Sequence, residues 1–189
     1  MIKTVKTKEE RLLIFDTNIF LTGLDFNVIP GNIFTIREVI DEIRVDRYQE
    51  KNRNILNRIS YARERKKLIL KEPHQEFIKK VRKRAKITND LRVLSNVDIK
   101  LIALALELQS NTDKNVILYT NDYSMENLCS ELNITFSPLR KRGINKKIIY
   151  EWYCPFCNEV KHTDQEFCEK CGSKLKRRRV KTQKYNSDK

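Results

Sequence analysis

The chain has almost no histidine, no long apolar run and no glycine-rich loop, and each absence removes a class of function. Only His74 and His162 occur, so acid–base catalysis by histidine is not expected. No apolar stretch reaches the roughly 20 residues that cross a bilayer, and the amino terminus shows no signal-peptide h-region. Without a glycine-rich phosphate loop, a Walker or Rossmann nucleotide site is not expected. Internal repeats are absent too. Disulfides are disfavoured, because four of the five cysteines fall in one short C-terminal cluster, a pattern of metal binding. Together these absences lead us to expect a soluble cytoplasmic protein.

What the chain does have is positive charge. Its 189 residues carry 39 Lys and Arg against 25 Asp and Glu, a net charge of +14 with a pI near 9.6. The excess is uneven: from Arg140 onward there are 15 basic and 6 acidic residues. Charge this far from zero concerns partners rather than fold, and polyanions are the obvious ones. The length suggests one ordinary domain plus a small accessory one.

Ser95 to Leu108 organises the larger part. Its apolar residues recur at helical spacing around most of the circumference, which predicts a buried helix. Asp98 stands at its start, three residues after Ser95. Val116 to Thr120 reads as a buried strand ending at Asn121-Asp122, and Leu12 to Phe15 as another ending at Asp16. Gly31 to Thr35 and Leu68 to Leu70 are further strands, and Ile134 to Phe136 an edge strand. Helices are expected from about Ile36, across Arg44 to Lys67 with a basic outer face, from Gln75 to Lys86, and from Ser124 to Leu132. This alternation predicts an α/β fold with a parallel sheet covered by helices on both faces.

In such a sheet, ligands sit beyond the carboxyl ends of the strands. Asp16, Asp98 and Asp122 can therefore converge although they are far apart in sequence. Clustered carboxylates repel one another unless a cation neutralises them, and hard ions such as Mg²⁺ and Mn²⁺ prefer oxygen ligands. Plainer roles compete locally. Asp16 suits a helix cap, and Ser95 with Asp98 has the spacing of a capping box. Asp90 reads as a turn residue, Glu38 and Glu42 as an acidic flank, and Cys129 as a core thiol.

Cys154-Pro155-Phe156-Cys157 and Cys168-Glu169-Lys170-Cys171 are a strong zinc-ribbon signal, since two hairpin turns offer four thiolates for a tetrahedron. His162 is then not needed as a ligand. The basic run Lys174, Lys176, Arg177, Arg178 and Arg179 beside a ribbon suggests contact with nucleic acid. The division expected is an α/β domain over 1–138, a basic linker over 139–149, the ribbon over 150–176 and a flexible basic tail over 177–189.

Phe15-Asp16-Thr17-Asn18, Thr35-x-x-x-Val39-x-x-Glu42-Ile43, Ser95-x-x-Asp98 and Thr120-Asn121-Asp122-Tyr123-Ser124 resemble the four motifs of a PIN-domain nuclease. A PIN domain followed by a linker and a four-cysteine ribbon is similar to the NIN-one-binding family of archaea and eukaryotes. That resemblance implies a three-layer α/β/α domain with a central parallel sheet and a small zinc ribbon. It implies an endoribonuclease that trims the 3′ end of precursor small-subunit rRNA, with the pre-ribosomal small subunit as its partner. It carries over Asp16, Glu42, Asp98 and Asp122 as Mg²⁺ or Mn²⁺ ligands acting by metal-activated water. Cys154, Cys157, Cys168 and Cys171 are carried over as ligands of a structural Zn²⁺. It also raises Glu42 above Glu38. Two departures stand out: Asn121 where relatives often carry Asp, and Asn89 in place of a glycine before Asp90, which leaves Asp90 a supporting role behind the ligands. A toxin-type PIN ribonuclease and a non-catalytic RNA-binding assembly factor are the competing readings.

Overall fold

Short runs of β-branched and aromatic residues, too short for helices, pair side by side into one sheet. In the computed structural model, which describes residues 11–45, 49–139, 146–161 and 165–184, these are β1 (Arg11–Phe15), β2 (Asn32–Thr35), β3 (Leu68–Leu70), β4 (Asn115–Tyr119) and β5 (Phe136–Ser137). The sheet order is β3-β2-β1-β4-β5, and every pairing is parallel. Between them run α1 (Thr17–Leu21), α2 (Arg37–Ile43), α3 (Gln49–Glu64), α4 (Gln75–Ile87), α5 (Asn96–Asn111) and α6 (Tyr123–Glu131). The strand order reverses at β1, so right-handed crossovers place the helices before β3 on one face and those after it on the other. Contacts agree: α1, α2 and α3 touch one another, as do α4, α5 and α6.

Helix α5 is buried as its sequence predicts, with Leu101, Ile102, Ala103, Leu104 and Ala105 all withdrawn from solvent. Each of its large side chains contributes about 1.5–3 kcal/mol of burial. The expected basic helix starts later than its charge pattern suggests, at Gln49. The Asp16 turn opens directly into the short helix α1, which periodicity could not show in five residues.

The carboxyl-terminal part is a second sheet of β6 (Lys146–Tyr153), β7 (Val160–Lys161) and β8 (Lys176–Lys184), ordered β7-β6-β8 and antiparallel. Two expectations are corrected here. Residues 146–149, assigned to the linker, belong to β6, and residues 177–184, assigned to a flexible tail, form most of β8. Val180 and the register from Lys146↔Lys184 to Tyr153↔Lys176 explain why: a basic run still makes a strand when a partner supplies the ladder. Residues 1–10, 46–48, 140–145, 162–164 (His162 among them) and 185–189 lie outside the described residues. Among those described, no helix is long and apolar enough to cross a membrane.

Candidate acidic site and cysteine cluster

The sheet's switch point lies between β1 and β4, and each strand is followed by an acid, Asp16 directly after β1 and Asp122 three residues after β4. Their register pairs Phe15 with Tyr119, so Asp16 and Thr120 leave the sheet together. Asp16 is 5% exposed, and its Oδ2 accepts a 3.0 Å hydrogen bond from the Thr120 hydroxyl. The same hydroxyl oxygen accepts the Asp122 N–H at 3.1 Å. Thr120, itself fully buried, therefore ties the two acidic positions into one unit. Its signal in the sequence was a hydroxyl two residues before Asp122. That signal has meaning only once β1 and β4 are known to be neighbours.

Asp98 keeps the plainer role. Its Oδ2 accepts Ser95 N–H at 2.7 Å while Ser95 Oγ accepts Asp98 N–H at 3.1 Å, a complete capping box. Asp122 caps α6 through Oδ1 to Ser124 N–H at 2.7 Å. Each carboxylate spends one oxygen on its helix start and has a second to offer. The positive end of each helix dipole favours the charge there.

Glu42 and Glu38, one turn apart on α2, are sorted by their partners. Glu42 Oε2 accepts a 2.5 Å hydrogen bond from the hydroxyl of Thr17, the residue next to Asp16. Glu38 pairs with Lys100, which also binds Glu72 at 3.0 Å. One glutamate faces the acidic site and the other is neutralised at its rim. Thr17 stood in the sequence only as a motif residue and Lys100 carried no signal; their pairing with Glu42 and Glu38 makes this distinction.

The electrostatics agree. Burial raises the Asp16 carboxyl from 3.8 to about 6, with the charges of Asp98 and Glu42 adding to it and hydrogen bonds from Thr120 and Thr17 opposing. Burial, with the charge of Asp122 adding, raises Asp98 against the pull of Ser95. Carboxylates pushed toward holding protons by burial and mutual repulsion are relieved by a cation, and an all-oxygen donor set suits Mg²⁺ or Mn²⁺. It is the chemistry of these oxygen donors, rather than a close-drawn cluster, that suits such an ion.

Asp90 does not join them. It is fully buried, but Asn127 Nδ2 donates to its Oδ2 at 3.1 Å and Arg177 binds its Oδ1. It lies in the turn region after α4, as its sequence reads, and its carboxylate faces the second sheet rather than backing the acidic site. Asn89, where a glycine was expected, has φ +59°, a left-handed conformation that asparagine tolerates better than most residues.

The cysteines form the tighter cluster. The four sulfurs of Cys154, Cys157, Cys168 and Cys171 lie within 4.8 Å of one another. Among the described residues no other three Cys, His, Asp or Glu side chains draw together in this way. Tetrahedral zinc with bonds near 2.3 Å would set sulfurs about 3.8 Å apart, so the cluster fits. Two matching turns build it. Asn158 N–H donates to the Cys154 carbonyl at 2.9 Å, and Gly172 N–H to the Cys168 carbonyl at 2.8 Å. Asn158 and Gly172 both have positive φ, as a tight knuckle after the second cysteine requires. The hydroxyl and N–H of Ser173 pull the Cys171 thiol down to about 6, while hydrogen bonding to Cys171 pushes Cys157 up to about 12.

A parallel sheet in this order, with acids grouped beyond the ends of its central strands, places a candidate site where open α/β sheets bind ligands. The family model described as the PIN domain of ribonuclease matches residues 13–108, a span that includes Asp16, Glu42 and Asp98. Endoribonuclease Nob1 of Methanocaldococcus jannaschii is 33% identical over 91% of this chain and 80% of its own length. Endoribonuclease Nob1 of Methanothermobacter thermautotrophicus is 32% identical over 88% and 92%. Ribonuclease VapC1 of Thermoplasma acidophilum is 28% identical over 88% and 77%. The chain belongs to the PIN-domain ribonucleases and, within them, to the Nob1 endoribonucleases.

Proposed function

We propose that the chain cleaves precursor small-subunit rRNA at its mature 3′ end, using a divalent ion held by Asp16, Glu42, Asp98 and Asp122. The observation that supports this reading best is the Thr120 bridge, which holds two of the acids at the switch point of the sheet. Mg²⁺ or Mn²⁺ bound there would neutralise charge developing on the phosphate and lower the pKa of water. The chain's own residues do the rest. Thr120 and Thr17 fix the rotamers of Asp16 and Glu42 by donating to them. The helix starts of α5 and α6 fix the Asp98 and Asp122 carboxylates in place through their capping hydrogen bonds.

Cys154, Cys157, Cys168 and Cys171 are proposed as the ligands of a structural Zn²⁺. Exposed basic residues, Arg179 among them, would grip RNA phosphates with salt-dependent affinity. The test is a short RNA spanning the mature 3′ end, incubated with Mn²⁺ and either wild type or Asp98→Asn. Cleavage at one junction by the wild type alone is expected. Tight binding with no cut from either protein would favour the assembly-factor reading.

A further inference from the structure

The nuclease domain and the second sheet meet at a built interface. Strand β7 reaches only Trp152 and Tyr153 of β6. Farther along β6, two asparagines of the nuclease domain bind its backbone: Ile148 N–H donates to Asn127 Oδ1 at 2.9 Å, and the Tyr150 carbonyl accepts from Asn89 Nδ2 at 2.9 Å. Asn127 also donates to Asp90, and Asp90 binds Arg177 of β8. The Arg177 guanidinium lies over the Tyr150 ring, 3.6 Å from its centroid, and Arg92 lies over the Trp152 ring at 3.9 Å.

Breaking one partner of such a buried ion pair leaves a charge uncompensated, so the pair is a strong specifier of arrangement. It also grips the two elements that carry the acidic site. The Asp90 carbonyl accepts the N–H groups of Val93 and Leu94, in the turn that runs into the Ser95 cap and Asp98. Asn127 lies on α6, whose cap is Asp122.

We propose that Asp90, Asn89 and Asn127 form a receptor into which Arg177 latches the ribbon, holding it at one fixed position beside the acidic site. Arg177 is thus a positioning residue within a run that otherwise reads as phosphate-binding. RNA gripped by the ribbon would then enter the site in a single register. That consequence rests on the nuclease reading above; the docking itself does not.

Trp152 is the only tryptophan and sits at this interface, 8% exposed, so its fluorescence reports docking. The experiment compares full-length, zinc-loaded wild type with Arg177→Gln, Asp90→Asn and the exposed control Arg179→Gln, with zinc content verified for each. Acrylamide quenching of Trp152 should rise in the first two variants and stay unchanged in the third, since docking lays Arg92 over a ring that the ribbon's own core covers elsewhere. In binding to a short structured RNA, Arg179→Gln should lower the log–log salt slope by about 1, whereas Arg177→Gln keeps the wild-type slope. At saturating RNA with Mn²⁺, Arg177→Gln should cut at least about tenfold more slowly with RNA affinity within about threefold, a loss of positioning rather than of binding.

Unchanged quenching in both latch variants overturns the proposal. A slope reduced by Arg177→Gln without a quenching change would make Arg177 a phosphate contact and also overturn it. Undocking with undiminished cleavage would overturn the positioning role. If the wild type leaves RNA intact, the nuclease reading fails, and quenching alone decides whether the latch exists.

Discussion

The two candidate metal sites are built in opposite ways. The acidic site sits on a sheet whose core contains none of its carboxylates: Ile14, Ile33, Leu104 and Leu118 are fully buried apolar residues. In the second sheet the buried cluster is Trp152, Cys154, Cys168 and Leu175, so cysteines are half of the core. A fold that must contribute its ligands to its core depends on the metal for stability; a fold that holds ligands at a rim keeps the metal for chemistry.

The largest expected effect tests that contrast directly. Structural zinc contributes on the order of 10 kcal/mol to a module of this kind. Chelation should therefore abolish amide protection in β6 and β8 while leaving α5 protected. Joint loss of protection would show that the nuclease domain leans on the ribbon for its own stability, and the contrast would collapse.

Next comes Asp98→Asn. The amide retains an oxygen to accept Ser95 N–H, so the helix start and thermal stability should stay near wild type. Losing the charge should lower the cleavage rate by about 10²–10³, the usual cost of removing one preorganised electrostatic group. A variant that unfolds instead would mean that Asp98 matters as a cap and not as a ligand.

Asp16 gives a smaller effect with a definite sign. Its native carboxyl titrates near 6 against 3.8 as the ordinary value. The native state thus binds more protons than the unfolded state across that window. Metal-free stability from this group falls as pH rises from about 4 to about 6, then levels off. Asp16→Asn removes the penalty, so without metal at pH 7.5 the variant should be more stable on the order of 2 kcal/mol, with no difference near pH 3. Saturating Mn²⁺ should reverse the order, because only the wild type gains binding free energy. Thermal melts with chelator and with Mn²⁺ at three pH values check both halves.

The same two regions differ in how much their sequence disclosed. The four cysteines could be read at once, because their ligand spacing is local and each knuckle is its own small unit. Asp16, Asp98 and Asp122 could be placed at strand ends and a helix start, since apolar runs mark where elements stop. What brings them together is β1–β4 pairing between residues about a hundred positions apart, and no local pattern encodes that. Thr120 and Lys100 were therefore invisible in role. Arg177 and Asp90 were misplaced for a related reason. A basic run looks solvated and a turn aspartate looks exposed until a second sheet is found lying against both.

The finest comparison is between the two glutamates of α2. Glu42 accepts from Thr17 beside Asp16, while Glu38 is held by Lys100. If partners decide roles, charge removal at the two positions should act on different observables. Glu42→Gln keeps an acceptor for Thr17 but removes a charge from the acidic site, and should weaken Mn²⁺ binding by about tenfold, as substitutions around metal sites commonly do. Glu38→Gln breaks a partly exposed ion pair, worth about 0.5 kcal/mol or less after solvent screening, and should leave Mn²⁺ affinity within about twofold. Isothermal titration with Mn²⁺ on both variants separates them. Equal weakening would mean that the negative field of α2 as a whole, rather than one aimed carboxylate, attracts the ion, and the assignment of Glu42 over Glu38 would fall.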